Sequence, residues 1–151
     1  MQAVSLTTPV GDIVVAEEDG FIVSVRWTSE RHSAQTPLLR EACEQLNAYF
    51  RNELTRFDLP LRPGGSAFQR DVCAAMSAIP YGETRTYGEL AEELGVVAQA
   101  VGQACGHNPI PIIIPCHRVL GASGLGGFSG GDGIETKILL LRHEDAFPYL
   151  L

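Results

Sequence analysis

The stretch Ile114-Pro115-Cys116-His117-Arg118-Val119 places a thiol, an imidazole and a guanidinium side by side, directly after an apolar run that reads as a strand, Pro109-Ile110-Pro111-Ile112-Ile113. A thiolate is the strongest common side-chain nucleophile, but a free cysteine, with a pKa of about 8.5, is mostly protonated at neutral pH. Activation therefore needs a base or a positive environment, and His117 and Arg118 offer both. Neighbours on an extended chain point to opposite sides, so a direct Cys116–His117 bond is awkward. A bridging water, or a sharp turn enforced by Pro115, would bring the two into register. A nucleophile relay also needs a buried carboxylate to orient the imidazole. Glu144, at the end of a helix expected over Ile134 to His143, is the candidate.

The charge distribution agrees. The chain of 151 residues carries a formal charge of −7, which argues against a generally basic, phosphate-binding surface. Yet there is no Asp or Glu from Leu94 to Gly131, a span that includes His107, His117 and Arg118. An anionic partner would be met there. Two blander readings compete with a nucleophile. Free cysteines are most often buried and inert. Cys105, His107, Cys116 and His117 could also form a four-ligand metal set, but adjacent Cys and His chelate poorly, so no zinc site is expected.

Directly after this stretch, Gly121 to Gly133 holds seven glycines in thirteen positions. No Gly-Lys-Ser/Thr follows, so it is not a phosphate loop. Next to a nucleophile it reads as a pocket wall whose backbone can approach a flat ligand closely.

The elements that must position these groups fall in two parts. The first 60 or so residues read as a small α/β unit with no chemistry of its own. Val14-Val15-Ala16 and an alternating run with Phe21, Val23, Val25 and Trp27 on one side flank Asp19-Gly20, a hairpin signal because the tight turn needs positive φ. Thr36-Pro37 opens a helix with Leu39, Cys43, Leu46 and Phe50 on its apolar face. Arg62-Pro63-Gly64-Gly65 is the linker, dividing the chain into 1–62 and 63–151. In the second part, Ser66 to Gln69 and Thr86 to Glu89 are capping boxes. The second box starts a short helix ending at Leu94-Gly95, and another helix follows from Ala98 to Gly106, a helix-turn-helix pattern. That last helix is rich in Ala and Gly, which suits either tight packing on a neighbour or close approach of its backbone to an outside partner. The four cysteines read as buried thiols plus one reactive one in a reducing compartment. No apolar run is long enough for a membrane span and no leader is evident, so the chain reads as cytosolic.

Taken together, these motifs resemble the O6-alkylguanine-DNA alkyltransferases (methylated-DNA–protein-cysteine methyltransferases). Ile114 to Val119 matches that family's active-site signature. Phe68-Gln69, Ile79 to Thr84, Thr86-Tyr87, Ala100 to Gly102, Gly106 to Pro109, Ser129 to Gly131, Lys137 and Leu140 to Glu144 agree in order. The match is strong from about Gly65 to Glu144 and looser before that. The resemblance implies a small N-terminal α/β, RNase H-like subdomain followed by a mainly helical domain with a helix-turn-helix and a cysteine active-site loop. It implies a monomer acting on double-stranded DNA that contains alkylated guanine, with no cofactor.

By the same resemblance, the helix-turn-helix enters the minor groove through Thr86, Ala98, Gln99, Ala100, Gly102 and Gln103, and the damaged base is flipped into a pocket. Cys116 takes the alkyl group, His117 and Glu144 activate it through a water, and Tyr87 helps expel guanine. Asn108 braces the bend before the active-site segment. Val119, Ser129, Phe128, Lys137 and Arg118 form the substrate-binding set. Each molecule acts once, because a thioether is not hydrolysed by this machinery. Two positions depart from the family's pattern. Gln99 stands where an arginine usually fills the gap left by the flipped base, implying weaker duplex binding or slower flipping, and Phe128 stands for a common tyrosine. The competing reading is a non-enzymatic lesion sensor of the same fold, which Cys116 argues against. A thiol hydrolase built on Cys116, His117 and Glu144 would need an oxyanion hole and repeated turnover.

Overall fold

An antiparallel meander opens the chain: β1 (Gln2–Thr8), β2 (Gly11–Glu18) and β3 (Phe21–Trp27), in spatial order β1-β2-β3. These elements come from a computed structural model that describes residues 1–146. The β2–β3 turn places Asp19 at φ 54° and Gly20 at φ 83°, the paired positive angles that the Asp-Gly signal demands. The expected alternation along β3 is altered. A register shift at Ala16/Glu17 breaks the period of two, so Ile22 and Val25 are the buried pair while Phe21 is 38% exposed.

Helix α1 (Pro37–Phe50) starts where its sequence says it should, with the Thr36 side chain accepting from the Leu39 N–H and Pro37 at the first helical position. Its buried stripe is Leu39, Ala42, Leu46 and Tyr49, whereas Cys43 and Phe50, expected on that face, are only partly covered. The stripe packs on the sheet and turns Tyr49 toward the second half of the chain.

Helix α2 (Ala67–Ser77) is capped by Ser66, but the expected reciprocal box is incomplete. The Gln69 amide donates instead to the carbonyl of Ala104, 2.8 Å away, tying α2 to a later helix. Helix α3 (Tyr87–Leu94) follows the two-residue strand β4 (Arg85–Thr86), and there Thr86 and Glu89 complete both arms of a capping box. Gly95 ends it in the left-handed conformation at φ 69°. Helix α4 (Ala98–Gly106) begins three residues further on, giving the helix-turn-helix.

The apolar run that read as a strand is a set of tight turns, half-buried at Pro109 and buried from Ile110 onward. Ile114 N–H returns to Ile110 O at 2.8 Å, and Ile112 sits at φ 71°. A β-branched residue there is strained by about 1–3 kcal/mol and persists only where packing fixes it; Ile112 has no exposed surface. Cys116–Arg118 forms a single 3-10 turn, and β5 (Val119–Leu120) pairs in parallel with β4. Helix α5 (Ile134–His143) ends at Glu144, as expected. One apolar core joins Ile13, Leu39 and Tyr49 to Met76, Ile110, Cys116 and Leu140 across both halves. None of the described helices is long and apolar enough to cross a membrane.

Candidate active site

Cys116 owes its position to the turns before it. The Asn108 side-chain amide donates to Ile114 O at 2.8 Å while its oxygen accepts from the Ile110 N–H at 3.0 Å, so one side chain clasps both ends of the bend. Pro115 then starts the 3-10 turn, closed by Arg118 N–H to Pro115 O at 3.0 Å. Cys116 and His117 therefore sit on a tight turn and not on the extended segment that would point them to opposite sides.

Behind the cysteine lies a buried polar cluster centred on Glu144, which is 2% exposed. Its Oε2 accepts from His117 Nε2 at 2.8 Å, from Arg118 Nη2 at 2.9 Å and from the Tyr49 hydroxyl at 2.5 Å; its Oε1 accepts from Arg118 Nε at 2.8 Å. Arg118 Nη1 donates to Ile79 O at 2.7 Å. Burial opposes the charged carboxylate, but the bonds and charges of His117 and Arg118 outweigh it and hold Glu144 well below the usual carboxylate range. Because Glu144 only accepts, His117 carries its proton on Nε2. Burial holds the imidazole neutral by lowering its pKa, despite the opposing pull of Glu144. Its Nδ1 is then an acceptor, buried and without a partner among the described residues.

In front, Cys116, Tyr87, Cys105, Gly102, Gly106, Gly127, Phe128 and Ser129 line a cavity of about 380 Å³. A second cavity of about 190 Å³ shares Cys105, Cys116, Phe128 and Ser129 and adds Trp27 and Asn108. Burial pushes the Cys116 thiol up to about 11, against the lowering influence of the Asn108 side chain and the Lys137 charge. It is therefore a thiol at neutral pH and needs a base. Burial likewise raises Tyr87, keeping its phenol protonated as a donor. A larger cavity of about 630 Å³ lies on the other side of the turn, between Phe57, Ile79, Tyr81 and Arg118, and does not reach Cys116.

The glycine-rich run forms the wall, and its glycines have individual causes. A Cβ on Gly130 would stand 2.3 Å from the Trp27 ring, and one on Gly126 would stand 2.7 Å from the Tyr87 ring. Trp27 also packs edge-on against Phe128, with centroids 6.0 Å apart.

Two residues expected to bind substrate are placed elsewhere. Lys137 Nζ is fully buried and donates to Val119 O, Leu125 O and Gly127 O at 2.6, 2.6 and 3.1 Å, so it ties the wall to the turn and lines neither cavity. Arg118 is committed to Glu144. The Val119 carbonyl is already bonded to Lys137, while Ser129, at the cavity edge, donates to Gly106 O at 3.0 Å. The candidate metal set does not converge: His107 is exposed and bonded to Gln103 O, and His117 faces Glu144.

On α4, Ala98, Gln99 and Gln103 are exposed, Ala100 and Gly102 half-buried, and Thr86 half-buried at the cap of α3. A Cβ at Gly102 or Gly106 would meet nothing within 4 Å. These two glycines are not required for packing within the molecule, whereas Ala104 is buried, so tight packing accounts for only part of the small residues of this helix.

Sequence reasoning missed Tyr49 and Trp27, which reach the site from the first half. That Trp27 is the single tryptophan was the only signal available.

A buried thiol on a cavity at the foot of a helix-turn-helix, with a neutral imidazole fixed by a carboxylate, defines a thiol protein of two joined parts. Comparison with known proteins gives the family. Residues 67–146 match the DNA-binding domain of 6-O-methylguanine DNA methyltransferase, and residues 4–63 match the ribonuclease-like domain of that family. A methylated-DNA–protein-cysteine methyltransferase of Mycolicibacterium paratuberculosis is 44% identical, over 94% of this chain and 93% of the relative. The constitutive methylated-DNA–protein-cysteine methyltransferase of Bacillus subtilis is 40% identical, with 91% of each chain covered. The crystal structure of Mycobacterium tuberculosis OGT in complex with DNA superposes with a TM-score of 0.87 at 42% identity, covering 97% of this chain and 94% of that one. The chain belongs to the methylated-DNA–protein-cysteine methyltransferase family.

Proposed function

We propose that this protein repairs DNA by moving the alkyl group of O6-alkylguanine irreversibly onto Cys116, once per molecule. The observation that supports this best is the placement of Cys116 and Tyr87 on one cavity, with the buried His117–Glu144 pair beginning at the next residue of the same 3-10 turn. His117 Nδ1, the one acceptor left free by the Nε2–H tautomer, takes the thiol proton across a bridging water. The sulfur then attacks the alkyl carbon in line, the carbon–O6 bond breaks, and its electron pair passes to the guanine. The Tyr87 hydroxyl gives its proton to the departing base, which leaves as neutral guanine, and the proton that His117 took from the thiol restores the charge balance of the site. The resulting thioether has no leaving group that this site can expel, so turnover stops.

In this reading residues 63–151 carry DNA binding and transfer, and residues 1–62 form the scaffold domain. Double-stranded DNA lies along α4, whose Ala98, Ala100 and Gly102 leave the backbone close to the minor groove and whose Gln99 faces the site of the displaced base. Ser129 and Phe128 border the flipped guanine, and Val119 contributes a carbonyl. Lys137 and Arg118 act by position, the first on the cavity wall and the second on Glu144. Asn108 holds the bend that presents the sulfur.

The test is the intact mass of the protein after incubation with a duplex holding one O6-methylguanine. We expect the gain of a single methyl group on Cys116, absent in Cys116→Ala, which should still bind the duplex. Specific binding without mass gain would make the protein a lesion sensor.

A further inference from the structure

Tyr49 is the member of the Glu144 cluster that comes from the other half of the molecule. Its hydroxyl donates to Glu144 Oε2, the same oxygen that receives His117 Nε2. Little about this contact is adjustable. Tyr49 is fully buried, its carbonyl accepts from His143 Nε2 at 2.7 Å, and its ring packs on His143, Phe57 and Tyr81 with centroids 4.8, 5.4 and 6.1 Å away. Burial and the Glu144 charge hold the phenol protonated far into the alkaline range, so it acts only as a donor toward that carboxylate. Three donors, from Tyr49, His117 and Arg118, share that one oxygen and compete for its charge.

Building on the alkyl-transfer reading above, we propose that Tyr49 is a positioning residue of the reaction, by which α1 fixes the Glu144 carboxylate and limits how strongly it can stabilise a protonated His117. It touches no reacting atom and acts through Glu144. The groups facing Glu144 are His117 and Arg118 from the 3-10 turn, Tyr49 from α1, and Tyr81 from the loop after α2; Lys137 from α5 bears on His117 by charge alone. Removing the Tyr49 hydroxyl leaves more of the Oε2 charge for the His117 N–H. The imidazolium gains stability, and the base is lost to protonation at a higher pH than in the unaltered protein.

The experiment compares the unaltered protein, Tyr49→Phe and Tyr81→Phe. The transfer rate from O6-methylguanine in a duplex is followed from pH 5 to 8, and the titration of the His117 ring is read by nitrogen NMR. Tyr81 is the control because its hydroxyl bonds His143 O and Asn52 and makes no bond to Glu144. In Tyr49→Phe, with ring and fold kept, the acid limb of the rate and the His117 titration should both move upward by about half to one pH unit. In Tyr81→Phe both should stay in place. Equal shifts in the two variants, or none in a folded Tyr49→Phe, would overturn the proposal. Should Tyr49→Phe prove too unstable for kinetics, the His117 titration measured at low temperature decides by the same criterion. No methyl gain in the unaltered protein would instead overturn the alkyl-transfer reading itself.

Discussion

The two sides of the Cys116–Arg118 turn are built on opposite plans. Behind it, Tyr49, His117, Arg118 and Glu144 form a buried cluster of long polar side chains in which every oxygen of the carboxylate is bonded. In front, the wall from Gly121 to Gly133 is mostly exposed and short of side chains, tied to the turn by Lys137 and to β3 by Trp27. The difference follows from what each side must do. Setting a proton-transfer equilibrium requires fixed dipoles at low dielectric, where an unpaired polar group is costly. Admitting a flat base requires backbone without obstruction, with a few anchors beneath.

Damage to the first side should show in chemistry and damage to the second in stability and substrate fit. The largest effect is expected from His117→Gln, which keeps a donor toward Glu144 and loses the base. Transfer should slow by about 10²–10⁴-fold. The sign of its pH dependence is also fixed. In the unaltered protein burial lowers the His117 pKa, so the rate should be level above about 6.5 and fall only below that ordinary value. In the variant the reactive species is free thiolate, so the rate should climb about tenfold per pH unit toward the raised Cys116 value of about 11. A flat profile in His117→Gln would remove His117 from the relay.

Lys137→Met is expected next. It leaves three carbonyls without their shared donor and removes a positive charge from the neighbourhood of the thiol. We expect a loss of about 3 kcal/mol in denaturant unfolding, near the penalty for buried acceptors left unpaired. An unchanged midpoint would show that the wall is held by other means. The smallest effect is expected from Gly130→Ala, whose methyl would press on Trp27 at 2.3 Å. A displacement costing about 1–3 kcal/mol should appear as weaker reaction with the free base, with the acid limb of the rate unmoved. A shifted limb would mean that the two sides are coupled.

Much of this was legible beforehand because it rests on local rules. Thr36, Ser66, Thr86 and Gly95 announce their helix ends, Asp19-Gly20 its hairpin, and Cys116, His117 and Glu144 the chemistry through a dense run of family motifs. Other readings failed for reasons that lie outside any short window. Pro109 to Ile114 has the composition of a strand, yet Asn108 folds it into turns by bonding both its ends. Gln69 leaves its own helix cap for Ala104, and the bulge at Ala16/Glu17 undoes the alternation of β3.

By itself, then, the sequence determined the candidate nucleophile and candidate base, the helix-turn-helix and the family, because each depends on residue type, order and spacing along one segment. Only the tertiary structure decided that Arg118 and Lys137 turn away from the cavity, and that Tyr49 and Trp27 support it from the other half. A side chain's partner is set by which buried donors and acceptors the fold leaves within reach, and those come from segments up to 95 residues apart.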